Sequence, residues 1–95
     1  VSRAIRKSGL AESDLVGIWE YSFEVWDAAQ ADRYLDELEE AIRLLIDNPE
    51  LGVNRDFVRK EYLFVNRHAI YYIVTSAEIY IVRVLHEQMD PARHL

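Results

Sequence analysis

Cysteine is missing from this chain. Its absence excludes disulfides, thiolate nucleophiles and thiolate-rich zinc sites. No apolar run approaches the roughly 20 residues of a membrane span, and the first residues show no apolar core followed by a cleavage site. The expectation is a soluble cytoplasmic protein without membrane attachment. Proline and glycine are scarce, at two and three residues, so the few that occur mark breaks in the chain. A basic excess is lacking too. The net charge is −6, which argues against a general nucleic-acid binder. Between Ser8 and Glu50 twelve acids stand against only Arg33 and Arg43, whereas from Leu51 onward five acids stand against six Lys or Arg. A local basic patch is open to the second half alone.

The residues that are present suffice to fold. The 95 residues are 51% apolar and 12% aromatic, which argues against disorder and fits one small domain over 1–95 with a modest core. Val1 to Lys7 reads as a short strand broken by Ser8-Gly9, with Ser8 placed to N-cap the next helix. Ala11 to Trp26 reads as a first helix. Leu15, Ile18, Trp19, Ser22 and Trp26 recur at helical spacing, which puts both tryptophans toward the core. Glu12 and Asp14 suit the first turn electrostatically. Gly17 weakens this helix by about 1 kcal/mol relative to Ala, which implies close approach of another backbone.

Asp27 N-caps a second helix, with Gln30 in capping-box position. Its apolar stripe of Ala31, Tyr34, Leu35, Leu38, Ala41, Ile42 and Leu45 runs to about Asp47. The opposite face carries Asp32, Asp36, Glu37, Glu39 and Glu40. Asn48-Pro49 ends the helix, and Glu50 to Arg59 reads as a loop. Strands come next at about Tyr62 to Val65, His68 to Val74 and Glu78 to His86. The links at Asn66-Arg67 and Thr75-Ser76-Ala77 are short, so these strands are antiparallel neighbours. The last strand alternates Ile79, Ile81, Arg83 and Leu85 on one face with Tyr80, Val82, Val84 and His86 on the other. Both faces are apolar and need cover; a helical hairpin supplies only one. The architecture is α+β, in the order β-α-α-β-β-β: a helical hairpin packed on a small, mainly antiparallel sheet.

Four stretches, in order and at the right length, resemble the ParE toxins of the RelE/ParE toxin–antitoxin superfamily. They are Ala11-Glu12-Ser13-Asp14-Leu15 with Ile18-Trp19; Gln30-Ala31 through Tyr34 and Leu38; Asn48-Pro49-Glu50-Leu51-Gly52; and His68-Ala69-Ile70-Tyr71-Tyr72 with Ile81-Val82-Arg83-Val84-Leu85-His86 and Met89-Asp90. The last is the most specific. Asp27 and Asn66-Arg67 depart from the family pattern, both at turns. The resemblance implies a bacterial toxin that inhibits DNA gyrase without being an enzyme. It implies a ParD-like antitoxin as partner, whose C-terminal segment wraps the toxin and would cover the open sheet face. Operator DNA would be met only indirectly, through the antitoxin's ribbon-helix-helix domain.

A RelE-like ribosome-dependent mRNA nuclease is the rival within the superfamily. That chemistry needs several cations around a phosphate, plus a Tyr or His for proton transfer. Arg59, Lys60, Arg67, Arg83, His86 and His94 make a thin set. Glu87 stands about where RelE-type nucleases place a catalytic Arg, and a carboxylate there repels phosphate. A toxin fold that has lost activity and serves as an antitoxin-binding or co-repressor module is the third reading. The surface expected to meet gyrase or antitoxin is the last strand and tail, with Arg83, His86, Met89 and Asp90, joined by Arg59 and the polar tip of Tyr72. Arg83 also admits a structural reading, paired with Glu87, Asp90 or another carboxylate, because an unpaired charge in an apolar strand is costly. His86, His94 and Asp90 have metal-ligand chemistry. A lone strand-end histidine is more often a hydrogen-bonded structural residue, so no metal or cofactor is expected. The acidic second helix is a solvated face, and its charge further suggests attraction to a basic DNA-handling surface.

Overall fold

The computed structural model describes residues 3–55, 60–65 and 67–94. The order is β1 (Ala4–Lys7), α1 (Gly9–Val25), α2 (Ala28–Leu44), a single 3-10 turn (Pro49–Leu51), β2 (Val53–Arg55), β3 (Lys60–Val65), β4 (His68–Val74), β5 (Glu78–His86) and a closing turn of helix, α3 (Pro91–His94). The five strands form one sheet in the order β1-β5-β4-β3-β2. β1 is parallel to β5, and the other pairings are antiparallel. The hairpin-on-sheet architecture is the expected one. The bounds of α1 and β3 shift by one or two residues, and three differences are larger. β2 lies inside the stretch read as a loop, α2 ends at Leu44 rather than Asp47, and α3 comes after the last strand. β2 pairs with β3 through only three residues, too few to leave a period-2 signal in the sequence.

Local chemistry sets the helix starts. Ser8 Oγ accepts the Ala11 amide at 2.9 Å and donates to the Val82 carbonyl at 2.6 Å, while the Ser8 amide donates to the Ile81 carbonyl at 2.9 Å. One residue therefore caps α1 and ties it to β5. Asp27 caps α2 by accepting the Gln30 amide at 2.8 Å. The Gln30 side chain does not return to close a capping box; its Oε1 accepts from Arg33 at 2.6 Å.

The main core lies between the hairpin and the sheet. Leu38, Ile42 and Leu45 follow the stripe of α2 and meet Ile70, Tyr72, Ile79, Ile81 and Val84, with Ala11 and Leu15 from α1. Tyr72 is fully buried. Its hydroxyl donates to the Pro49 carbonyl and accepts the Gly52 amide, both at 2.8 Å, which pins the 3-10 turn.

α1 departs from its expected packing. Trp26 is 60% exposed. Trp19 lies at the margin, stacked on Phe23 at 5.3 Å and donating to Asp32 at 2.8 Å. Ser22, not a tryptophan, is the buried residue of the last turns. α1 is apolar on more than one face, so spacing alone could not say which face turns inward. Gly17 also departs: a Cβ there would meet nothing within 4 Å.

The face assignment of β5 changes midway. Tyr72 pairs with Ile81 but Tyr71 pairs with Arg83, so Val82 is an extra residue at a bulge. A bulge shifts the alternation by one. Ile79, Ile81 and Val84 thus all reach the main core, while Arg83 and Leu85 turn to the far face with Tyr71. On that face Ala69, Tyr71 and Leu85 are already buried by the chain itself, so the expected open sheet centre is closed.

Candidate functional site

β1 ends at Lys7, paired with Ile81, and β5 runs on to His86. Beyond Ile81 the β5 edge needs other partners, because unpaired backbone polar groups that leave water are costly. The first turns of α1 supply them. Asp14 Oδ2 accepts the Val84 amide at 3.0 Å. The same carboxylate takes Arg83 in a fork: Nε to Oδ2 and Nη2 to Oδ1, each at 2.8 Å. Such bidentate charge-assisted pairs are among the strongest side-chain contacts. Both side chains are mostly buried. The hydrogen bond to Asp14 raises the Arg83 pKa, so the group is a permanent cation. Arg83 Nη1 then donates to the His94 carbonyl at 3.1 Å. Arg83 therefore pairs with Asp14 and not with Glu87 or Asp90, and it joins α1, β5 and α3. Glu87 lies 3.8 Å from Arg67.

Beside this relay, β4 begins and β5 ends with a cross-strand histidine pair, His68 opposite His86. The rings meet edge to face at 5.3 Å. Tyr34 of α2 hydrogen-bonds His68 Nδ1 at 2.5 Å. The Arg67 backbone amide also serves the Tyr34 phenol, opposing the upward pKa shift that burial causes. Burial first, and the neighbouring His86 second, push the His68 pKa down to about 4, against the pull of Glu87. His68 is uncharged at neutral pH. His86 Nδ1 accepts the Gln88 amide at 3.1 Å, and its carbonyl accepts the Met89 amide at 2.9 Å. These bonds turn the tail back after β5. Among the described residues no three His, Asp or Glu side chains gather into a metal-ligand group.

A cleft of about 660 Å³ opens over this pair. α1 contributes Gly17, Tyr21 and Trp26; α2 contributes Gln30 and Tyr34; the sheet end contributes His68, His86 and Met89. Tyr21, Trp26 and Met89 are exposed at its mouth. Of the six residues expected to form the binding surface, the structure gathers four at one end of the molecule. Arg83 is locked, His86 is half-buried in the cleft wall, and Met89 and Asp90 are exposed. Tyr72 sits in the core, away from any surface. Arg59 lies outside the described residues. Sequence reasoning missed Asp14, Tyr34 and His68. The spacing of Asp14 offered only a helix-dipole role, and a link from α2 to the start of β4 has no local signal.

This fold is that of the RelE/ParE toxins. A chain from the chromosomal ParDE toxin–antitoxin system of P. aeruginosa superposes with a TM-score of 0.78 over 88% of this chain and 95% of that one; at 17% identity the likeness concerns fold alone. The sequence narrows the class. The family model described as ParE toxin of type II toxin-antitoxin system, parDE, matches residues 5–91. Toxin ParE1 of Mycobacterium tuberculosis is 38% identical over 91 residues, 93% of each chain. Toxin ParE1 of Caulobacter vibrioides is 34% identical over 92 residues, 95% of each chain. The chain belongs to the ParE toxin family and is the toxin component of a type II toxin–antitoxin system.

Proposed function

We propose that this toxin acts by binding DNA gyrase and stalling it on cleaved DNA, and that a ParD-like antitoxin neutralises it. The observation that carries this reading is the family match, which covers residues 5–91 and so takes in the last strand and the start of the tail. The surface that meets gyrase is the end of β5 and the tail, with His86, Met89 and Asp90 as contacts. Arg83 positions them, since its guanidinium is spent on Asp14 and the His94 carbonyl. The same commitment favours gyrase binding over mRNA cleavage. A cation forked onto a carboxylate is neutralised toward a phosphate, and an uncharged His68 adds no positive charge.

Expression in bacteria without antitoxin tests the proposal. The expected result is an SOS response with accumulation of gyrase–DNA cleavage complexes. Met89→Ala and Asp90→Ala, on exposed residues and with folding checked by circular dichroism, should each reduce those complexes several-fold. Site-specific mRNA cleavage on ribosomes without gyrase complexes would select the nuclease reading instead.

A further inference from the structure

Gly17 stands mid-helix, where glycine is disfavoured against alanine. Nothing among the described residues accounts for it: a Cβ would meet no atom within 4 Å. Yet Gly17 lines the cleft, on the same α1 row as Ser13 and Tyr21. Tyr21 and Trp26 at the mouth are 66% and 60% exposed. Large apolar groups converging around a concave site mark a docking surface. The same helix carries Glu20 and Glu24, exposed and three and seven residues beyond Gly17, so they border this row. Among the described residues the exposed cation at the cleft is Arg67, which faces Glu87 at 3.8 Å.

We propose that Gly17 is the point where the antitoxin's main chain lies against α1, with one large apolar side chain filling the cleft and Lys or Arg residues flanking it to meet Glu20 and Glu24. This rests on the antitoxin partnership proposed above. The missing side chain lets two backbones approach closely. The acidic rim selects the basic flanks and speeds encounter.

The test uses the full toxin and its purified antitoxin, the ParD-like partner proposed above. Gly17→Ala should raise the melting temperature of the free toxin by about 4–8 °C while weakening antitoxin affinity several-fold. Gly17→Leu, still folded by circular dichroism, should weaken affinity more than tenfold. Glu20→Lys with Glu24→Lys should lower the association rate and reduce its salt dependence. Wild-type affinity in both Gly17 variants would overturn the close-approach assignment. An unchanged association rate in the charge-reversed variant would overturn the basic flanks. Failure of the unmodified toxin to bind would bring down the partnership itself, and is distinguishable because it precedes any substitution.

Discussion

Asp14 serves three groups at once: the Arg83 Nε, the Arg83 Nη2 and the Val84 amide. Replacing it with alanine leaves a mostly buried guanidinium and an edge amide without their acceptor. The expected cost is about 2–4 kcal/mol. Asp14→Asn keeps an oxygen for Val84 and should cost less, so urea unfolding of the two variants separates charge from hydrogen bonding. His68 gives a second prediction at this scale. Its folded pKa is about 4 against roughly 6.5 in the unfolded chain, so the unfolded state binds the proton more readily. The stability it contributes is full above pH 6.5 and is lost as pH falls from there toward 4. Tyr34, His86, Glu87 and Arg67 surround the site, with Glu37 acting through Tyr34. The stability of wild-type protein should fall across that window more steeply than that of His68→Gln. An NMR titration should place the His68 ring near 4 rather than 6.5.

At the scale of elements, the parallel β1–β5 pair matters most. It brings the start of α1 to the β5 edge, where Ser8 and Asp14 take over from strand pairing. Tyr72 links another pair of elements, β4 and the 3-10 turn. Tyr72→Phe should lower stability by about 1–2 kcal/mol through the Pro49 and Gly52 bonds it removes, and hydrogen exchange at the Gly52 amide should quicken. Antitoxin affinity should not change once stability is matched; a direct loss of affinity would restore Tyr72 to the binding surface. The β5 bulge is also an element-scale device. Without the bulge, strict alternation through Val82 would point Arg83 into the main core beside Ile79 and Ile81, and its charge would have to be buried there.

At the scale of the whole molecule, charge is divided. Four of the acidic residues of α2, Asp32, Asp36, Glu37 and Glu40, are exposed, whereas Glu39, expected on the same solvated face, is half-buried and pairs with Lys7 of β1 at 3.0 Å. Reversing Asp36, Glu37 and Glu40 to Lys should leave the fold intact and slow association with a basic DNA-handling surface. The check is toxicity in cells together with the salt dependence of gyrase binding; unchanged values in a folded variant would sink it. The cleft and the tail sit side by side, joined through Met89 and His86. An antitoxin seated in the cleft would therefore reach the edge of the proposed gyrase surface.

The sequence by itself determined the helical hairpin, its two caps, the antiparallel strands and the family. Each is written in local terms: the stripe of α2, Asp27 beside Gln30, Asn48-Pro49, and the run from Ile79 to Asp90. It also determined that Arg83 must have a partner, because an apolar strand does not tolerate a bare charge. Only the tertiary structure decided which. Asp14 is 69 residues away, and a contact at that separation depends on β1 pairing beside β5, which no periodicity encodes. For the same reason His68 found Tyr34, Tyr72 went to the core, and Trp26 of α1 turned outward. Spacing fixes which residues share a face; the surface that face meets is settled by the packing of the whole chain.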